Sequence, residues 1–133
     1  MKAMAYKVFI SHTQRDNDLA HDLATRLEEV GAKVFSVDKS ALPSDKVIRP
    51  VNRGLREADE VIVILSSASL TSPGVFSEMG AAFSLDKLMT QIIVGLEDNE
   101  VPSFISNSVR YSDVGNYVAD IRKRARRGKT KAA

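Results

Sequence analysis

Residues 60–66 read EVIVILS, and the unbroken apolar run VIVIL (61–65) inside it constrains the fold more than any other stretch. Aliphatic and β-branched residues without alternation leave no face to show to water. Such a run reads as a central strand covered on both sides, the situation of a parallel sheet whose crossovers are helices. It is also far too short to cross a bilayer.

The flanking sequence repeats the theme. YKVFI (6–10) and AKVFSV (32–37) have strand composition, QIIVGL (91–96) supplies a fourth strand, and SVRYS (108–112) a short edge strand. Between them, Leu19, Leu23, Leu27 and Val30 recur at helical spacing, with Gly31 placed as the residue after the helix. Val47, Val51, Leu55 and Ala58 mark a second helix, which Pro50 must delay or bend. A third opens at SPGVFSEMGAAFS (72–84), where Ser72-Pro73 is a start signal, and Val114, Val118 and Ile121 mark a last one. Strands alternating with helices predict an α/β protein: a flavodoxin-like open five-stranded parallel sheet, order 2-1-3-4-5, with helices on both faces. Ligands of such sheets bind beyond the carboxyl ends of the strands, near the switch in strand order. Here that edge is built from residues 11–18, 38–46, 66–74 and the loop after Leu96.

Several chemistries are excluded. The 133 residues hold no cysteine, so disulfides and thiolate catalysis are absent. His12 and His21 lack metal-ligand spacing, and no GxGxxG, GxxxxGK[ST] or GxSxG motif occurs. A phosphorelay receiver needs an aspartate ending the third strand, where this chain has Leu65-Ser66. The N-terminus MKAMAYKVF has no signal-peptide core, so a cytoplasmic location is expected, with no membrane partner. The net charge of +2 hides an asymmetry, because the residues after Ile121 carry seven bases and no acid. The first 121 residues therefore hold 12 bases against 17 acids. We expect a domain over 1–125 and a basic C-terminal tail over 126–133, either the solvated end of the last helix or a linker to a sensor domain or partner protein. No aromatic residues interleave with these bases, which argues against nucleic acid.

What remains are three stretches at the predicted ligand edge. FISHTQRD (9–16) ends the first strand with Ser11 and His12, DKSALPSDKV (38–47) follows the second, and VIVILSSASLTSPGVFSEMGAA (61–82) follows the third. Glu78 is the only charge in 72–84; at about 100° per residue it sits on the shoulder of the apolar stripe, roughly 60° from Val75. In their order, and over residues 6–125, these stretches resemble the Toll/interleukin-1 receptor (TIR) domain family, especially its bacterial members. The first matches a strand ending F-I-S-H/Y followed by an acid. The third matches S-P-W-V-x-x-E-[LI]-G-x-A, with Val75, Glu78, Gly80 and Ala82 in register. Gly74 stands where the pattern has tryptophan, and Pro43-Ser44 where it has Pro-Gly.

The resemblance implies that Glu78 is catalytic and that NAD+ is a substrate, with no cofactor and no metal. It implies cleavage of the nicotinamide–ribose bond to nicotinamide and ADP-ribose or a cyclised product, in bacterial anti-phage signalling driven by homotypic TIR–TIR self-association. Substrate contacts would come from Ser11, His12, Asp38, Lys39, Pro43, Ser67 and Ser72. Each has a plainer reading: Glu78 as a surface glutamate, His12 as a structural loop residue, the serines as turn and cap residues, Asp38 and Lys39 as solvated charges. Two alternatives stand beside the enzyme, a non-enzymatic TIR–TIR interaction module and a nucleoside 2-deoxyribosyltransferase-like protein.

Overall fold

In the computed structural model, which describes residues 5–36, 53–103, 105 and 107–132, residues 60–65 of this run form a strand with all six residues buried. The strands are β1 (Tyr6–Ser11), β2 (Ala32–Phe35), β3 (Glu60–Leu65), β4 (Leu88–Ile93) and β5 (Ser108–Arg110). The helices are α1 (Asn17–Glu29), α2 (helical at 53–57), α3 (Pro73–Ser84) and α4 (Val114–Ala132). Every strand pair is parallel and the order is β2-β1-β3-β4-β5, as the alternation of strands and helices predicts. The register sets Phe9 beside Val61, Ile10 beside Ile62 and Ser11 beside Val63.

Because side chains alternate across a strand, that register sorts the core into two layers. Phe9, Val61, Val63 and Leu65 pack with Leu55, Val75, Met79 and Ala82, which puts α2 and α3 on one face. Val8, Ile10, Ile62 and Ile64 pack with Leu23, Leu27, Tyr117 and Ile121, which puts α1 and α4 on the other. Helix α1 ends where Gly31 adopts φ +104° and its N–H reaches the Glu28 carbonyl, a conformation that glycine takes without steric cost.

Three boundaries depart from the sequence pattern. Strand β4 begins at Leu88 and ends at Ile93, earlier than the expected 91–96. Its polar Thr90 and Gln91 are buried with side-chain bonds to Thr90 Oγ1 and Gln91 Nε2: Asn107 Nδ2 donates to Thr90 Oγ1 (2.6 Å), and Gln91 Nε2 donates to the Pro102 and Ile105 carbonyls, while Gln91 Oε1 makes no hydrogen bond among the described residues. Gly95, at φ +68°, then turns the chain out of the sheet. Strand β5 stops at Arg110, since Tyr111–Asp113 form a 3-10 turn into α4. That helix runs on through residues 126–132, so the basic tail continues it. Most of the second helix expected from Val47 and Val51, with Pro50, lies outside the described residues.

Candidate functional site at the carboxyl ends of the strands

Helix α3 is positioned by its own start signal. The Ser72 hydroxyl accepts the Val75 N–H (3.3 Å) and Pro73 fills the first helical position, where no N–H is needed. The preceding loop is rigid for a similar reason. Ser66 N–H donates to Ser69 Oγ, and that hydroxyl donates back to the Ser66 carbonyl (2.9 Å). Across the switch in strand order, Asp16 Oδ2 accepts from Ser66 Oγ at 2.7 Å and from Thr13 Oγ1 at 3.0 Å. One carboxylate thus ties the loop after β1 to the loop after β3. The acid of FISHTQRD was visible in the sequence, but its partner fifty residues away was not.

Glu78 lies in the second turn of this fixed helix, with the side chain 7% exposed. Val75, Met79 and Ala82 bury the neighbouring stripe against β1 and β3. Five residues from Pro73, it is about 8 Å along the helix from the end that rises off β3, the end nearest the ligand edge. It is the only charged residue of α3, and residues 57–86 contain no lysine or arginine.

The two residues that end the first strand separate. Ser11 follows Phe9 on the α3 face of the sheet, fully buried, and its hydroxyl makes no hydrogen bond among the described residues. His12 turns to the α1 side, with Nε2 2.7 Å from Asn17 Oδ1 and Nδ1 3.5 Å from the Ile10 carbonyl. There it lines a groove of about 410 Å³ with Asn17, Asp18, His21 and Val34. The structure therefore brings Ser11 to the face that carries Glu78 and takes His12 away from it. Ser67 is exposed on the loop, and Ser72 is half-buried at the cap. Asp38, Lys39 and Pro43 lie outside the described residues. Among the described residues no cluster of His, Asp and Glu could hold a metal ion, and no helix is long and apolar enough to cross a membrane.

A second buried carboxylate escaped sequence reasoning. Glu60, at the opposite end of β3, is fully buried. It accepts from Tyr6 Oη (2.6 Å), Thr90 Oγ1 (3.1 Å) and Tyr117 Oη, and pairs with Arg124. Burial and the Glu60 charge push both tyrosines well above the ordinary phenol range. For Arg124, burial pulls downward, but the Glu60 carboxylate outweighs it and holds the guanidinium above its usual value. The one signal available was an acid opening a run otherwise wholly apolar.

Comparison with known proteins follows the same geometry. Residues 8–127 match the family model described as TIR domain. Over 113 residues the chain is 31% identical to a probable 2′ cyclic ADP-D-ribose synthase, TcpB, of Brucella abortus (strain 2308). That alignment takes in 84% of this chain and 42% of the relative, so the chain spans less than half of TcpB. Among solved structures, the TIR domain of the Toll-related receptor TRR-2 from Hydra magnipapillata superposes with a TM-score of 0.70 at 19% identity, covering 89% of this chain and 99% of that one. The RPS4 and RRS1 TIR domain heterodimer gives a TM-score of 0.67 at 11% identity, over 96% of this chain and 99% of that one.

Proposed function

The chain belongs to the TIR domain family, and from that premise we propose that it cleaves the nicotinamide–ribose bond of NAD+, with Glu78 as the catalytic carboxylate. The observation that carries the reading is the placement of Glu78: a buried carboxylate, alone in charge on its helix, on the sheet face where Ser11 holds an unused hydroxyl. The name of the Brucella relative, a synthase of a cyclic ADP-ribose, supports the substrate class.

The chemistry asks little more than this. The C1′–N bond breaks with its electron pair passing to the nicotinamide nitrogen, which loses its positive charge, so no acid has to protonate the leaving group. The ribosyl carbon is left as an oxocarbenium-like centre that a nearby anion stabilises most when water is scarce. Glu78 supplies that anion. Water then attacks C1′ and releases a proton, giving ADP-ribose; attack by a hydroxyl of the same ADP-ribosyl group gives a cyclised product instead. Ser11 is suited to a ribose hydroxyl, and Ser67 and Ser72 to groups entering from solvent. His12 would meet parts of the substrate away from the ribosyl carbon. Asp38, Lys39 and Pro43 are proposed as contacts from the loop after β2. Homotypic self-association completes the proposal, supported by a structural neighbour that is itself a TIR heterodimer. An anti-phage signalling role, with a sensor as upstream partner, belongs to the same proposal.

The direct experiment follows nicotinamide release from NAD+ across a series of protein concentrations, for wild type and Glu78→Gln. Turnover that rises more steeply than protein concentration and vanishes in the variant is expected. Absence of turnover at high concentration, with both proteins alike, would leave the non-enzymatic interaction module. Gly74, which leaves an exposed position without an aromatic wall, favours that second reading. Adding a deoxynucleoside and a free base tests for base exchange in the same run.

A further inference from the structure

Two lysines stand side by side on the sheet. Lys7 and Lys33 are register partners on β1 and β2, so their side chains leave the same face, the one that carries Phe9 and Phe35 two residues further on. Like charges on neighbouring strands repel, and the fold keeps them together at a cost. Among the described residues neither ammonium makes a hydrogen bond or an ion pair. Both line a pocket of about 230 Å³ that also takes in Arg53, Gly54 and Glu57 of α2.

We propose that this pocket is a binding site for a phosphate monoester, separate from the site proposed for NAD+ and independent of that reading. It lies at the amino ends of β1 and β2, whereas the ligand edge lies beyond their carboxyl ends. Its walls are held in place from two sides. Helix α2 rests directly on the stacked rings of Phe9 and Phe35, whose centroids are 5.6 Å apart. Only glycine permits that approach, since a Cβ on Gly54 would stand 2.3 Å from Phe35 Cδ1. The chain just after α2 is then fastened to β1 itself: Asp59 N–H donates to the Lys7 carbonyl (2.7 Å), and Asp59 Oδ2 accepts the Lys7 N–H (2.8 Å). Lys87 Nζ adds bonds to the Arg56 and Ala58 carbonyls. The lysine floor and the Arg53–Glu57 rim therefore keep a set separation.

The charges select the ligand. Three cations, Lys7, Lys33 and Arg53, line the pocket against one carboxylate, Glu57. Glu57 is engaged by Arg53 Nε at 3.2 Å. That hydrogen bond, and then the charges of Arg53, Lys7 and Lys33, hold the Glu57 carboxyl below its usual range, so all three cations act on one small volume. The surplus is two positive charges. A phosphate monoester brings a charge of about −1.5 to −2 at neutral pH and three terminal oxygens, one for each cation. A carboxylate or a phosphodiester brings a single charge and leaves part of the surplus unanswered. Arg53 can turn its planar fork to two oxygens, and the lysines act as point charges below. Phe35 and Ala58 form the apolar wall against which the first carbons of the phosphate's carrier would lie.

Inorganic phosphate, titrated into the full chain without NAD+ and followed by amide NMR, tests the site apart from any activity. Chloride holds the ionic strength constant, so that screening does not pass for binding. The Lys7, Lys33 and Gly54 amides should shift together and saturate, with a Kd of roughly 0.1–1 mM. Lys33→Gln, at an exposed position that the fold tolerates, should weaken binding about tenfold. Glu57→Gln removes the competing anion and should tighten it about threefold. Arg122→Gln, on α4 across the sheet, should change nothing. Ribose 5-phosphate should bind at least as tightly as inorganic phosphate and respond to the same variants. Shifts that never saturate, or that Lys33→Gln and Glu57→Gln leave as in wild type, overturn the proposal. An oligonucleotide without a terminal phosphate that moves the same amides more strongly than phosphate assigns the pocket to nucleic acid and also overturns it. Phosphate binding in a protein that releases no nicotinamide leaves this site standing and removes only the catalytic reading.

Discussion

Two buried glutamates lie on opposite faces of the sheet, and their surroundings differ in kind. Glu60 opens β3 and is held by two tyrosines, a threonine and an arginine, so that α4 and β4 are fastened to the central strand. Glu78 rides midway along a helix with no other charge, about 8 Å from the helix end nearest the sheet edge where ligands of this fold bind. The first has its charge answered by groups the fold itself supplies. The second is the carboxylate proposed above to face the ribosyl cation. Burial of a carboxylate is therefore no guide to its task until the groups around it are named.

The comparison breaks most sharply at Glu60. Replacing it with alanine takes away the carboxylate that Arg124 pairs with and that the Tyr117 hydroxyl donates to, and removing one member of a buried pair costs about 3–5 kcal/mol. Denaturant unfolding should show that loss, while turnover per folded molecule stays near wild type. A Glu60→Ala protein with normal stability would mean that the network is an ornament of packing. Glu78 should give the opposite pattern. Glu78→Gln keeps the shape, so the unfolding midpoint should barely move, whereas loss of the anion should slow nicotinamide release by roughly 100–1,000-fold, as for other single electrostatic groups in active sites. Equal behaviour of the two variants in both assays would dissolve the distinction.

Alkaline titration sharpens the Glu60 end further. Tyr117 keeps its proton in the folded state far above the ordinary phenol range. The unfolded chain gives its proton up near pH 10, so stability is fully present below that pH and declines as pH rises beyond it. The decline should approach about 1.4 kcal/mol per pH unit from this one group, and Tyr6, held above the phenol range by burial and by the same carboxylate, adds to it. Tyr117→Phe should flatten the slope when unfolding is followed from pH 9 to 11.5. An unchanged slope would place the alkaline sensitivity elsewhere.

How much of this was legible beforehand differs between the two ends. The sheet order followed from VIVIL and the alternation around it, because periodicity records burial directly. Glu78 was legible because a charge interrupts an apolar helix face at a position that a family pattern also marks. Glu60 was not, since its partners come from Tyr6, Thr90, Tyr117 and Arg124, and no local spacing reports contacts across such separations. The start of β4 was hidden for the same reason: Thr90 and Gln91 look like loop residues until the partners of Thr90 Oγ1 and Gln91 Nε2 are seen. His12 and Ser11 were adjacent letters, and only the strand's alternation sent them to different faces.

The smallest effect tests the position that fits the family pattern least. Gly74 is exposed in the first turn of α3, and a Cβ built there would meet only the Ser72 hydroxyl, at 3.8 Å. Gly74→Trp is therefore sterically open and removes a glycine from a helix, so stability should hold or rise by less than about 1 kcal/mol. An indole one turn before Glu78 would add an aromatic wall beside the proposed ribosyl site, and stacking on a flat cationic ring is worth about 0.5–1 kcal/mol at an exposed position. If Glu78 works as proposed, the gain should appear as a KM for NAD+ lowered two- to fivefold with kcat equal or slightly lower, since the ring loses its charge as the bond breaks and the indole holds the ground state more tightly than the transition state. A rise in kcat instead would mean that the aromatic group orders Glu78 itself. No change in either constant would separate the substrate from this flank of the helix and leave the contrast with Glu60 to rest on Glu78 alone.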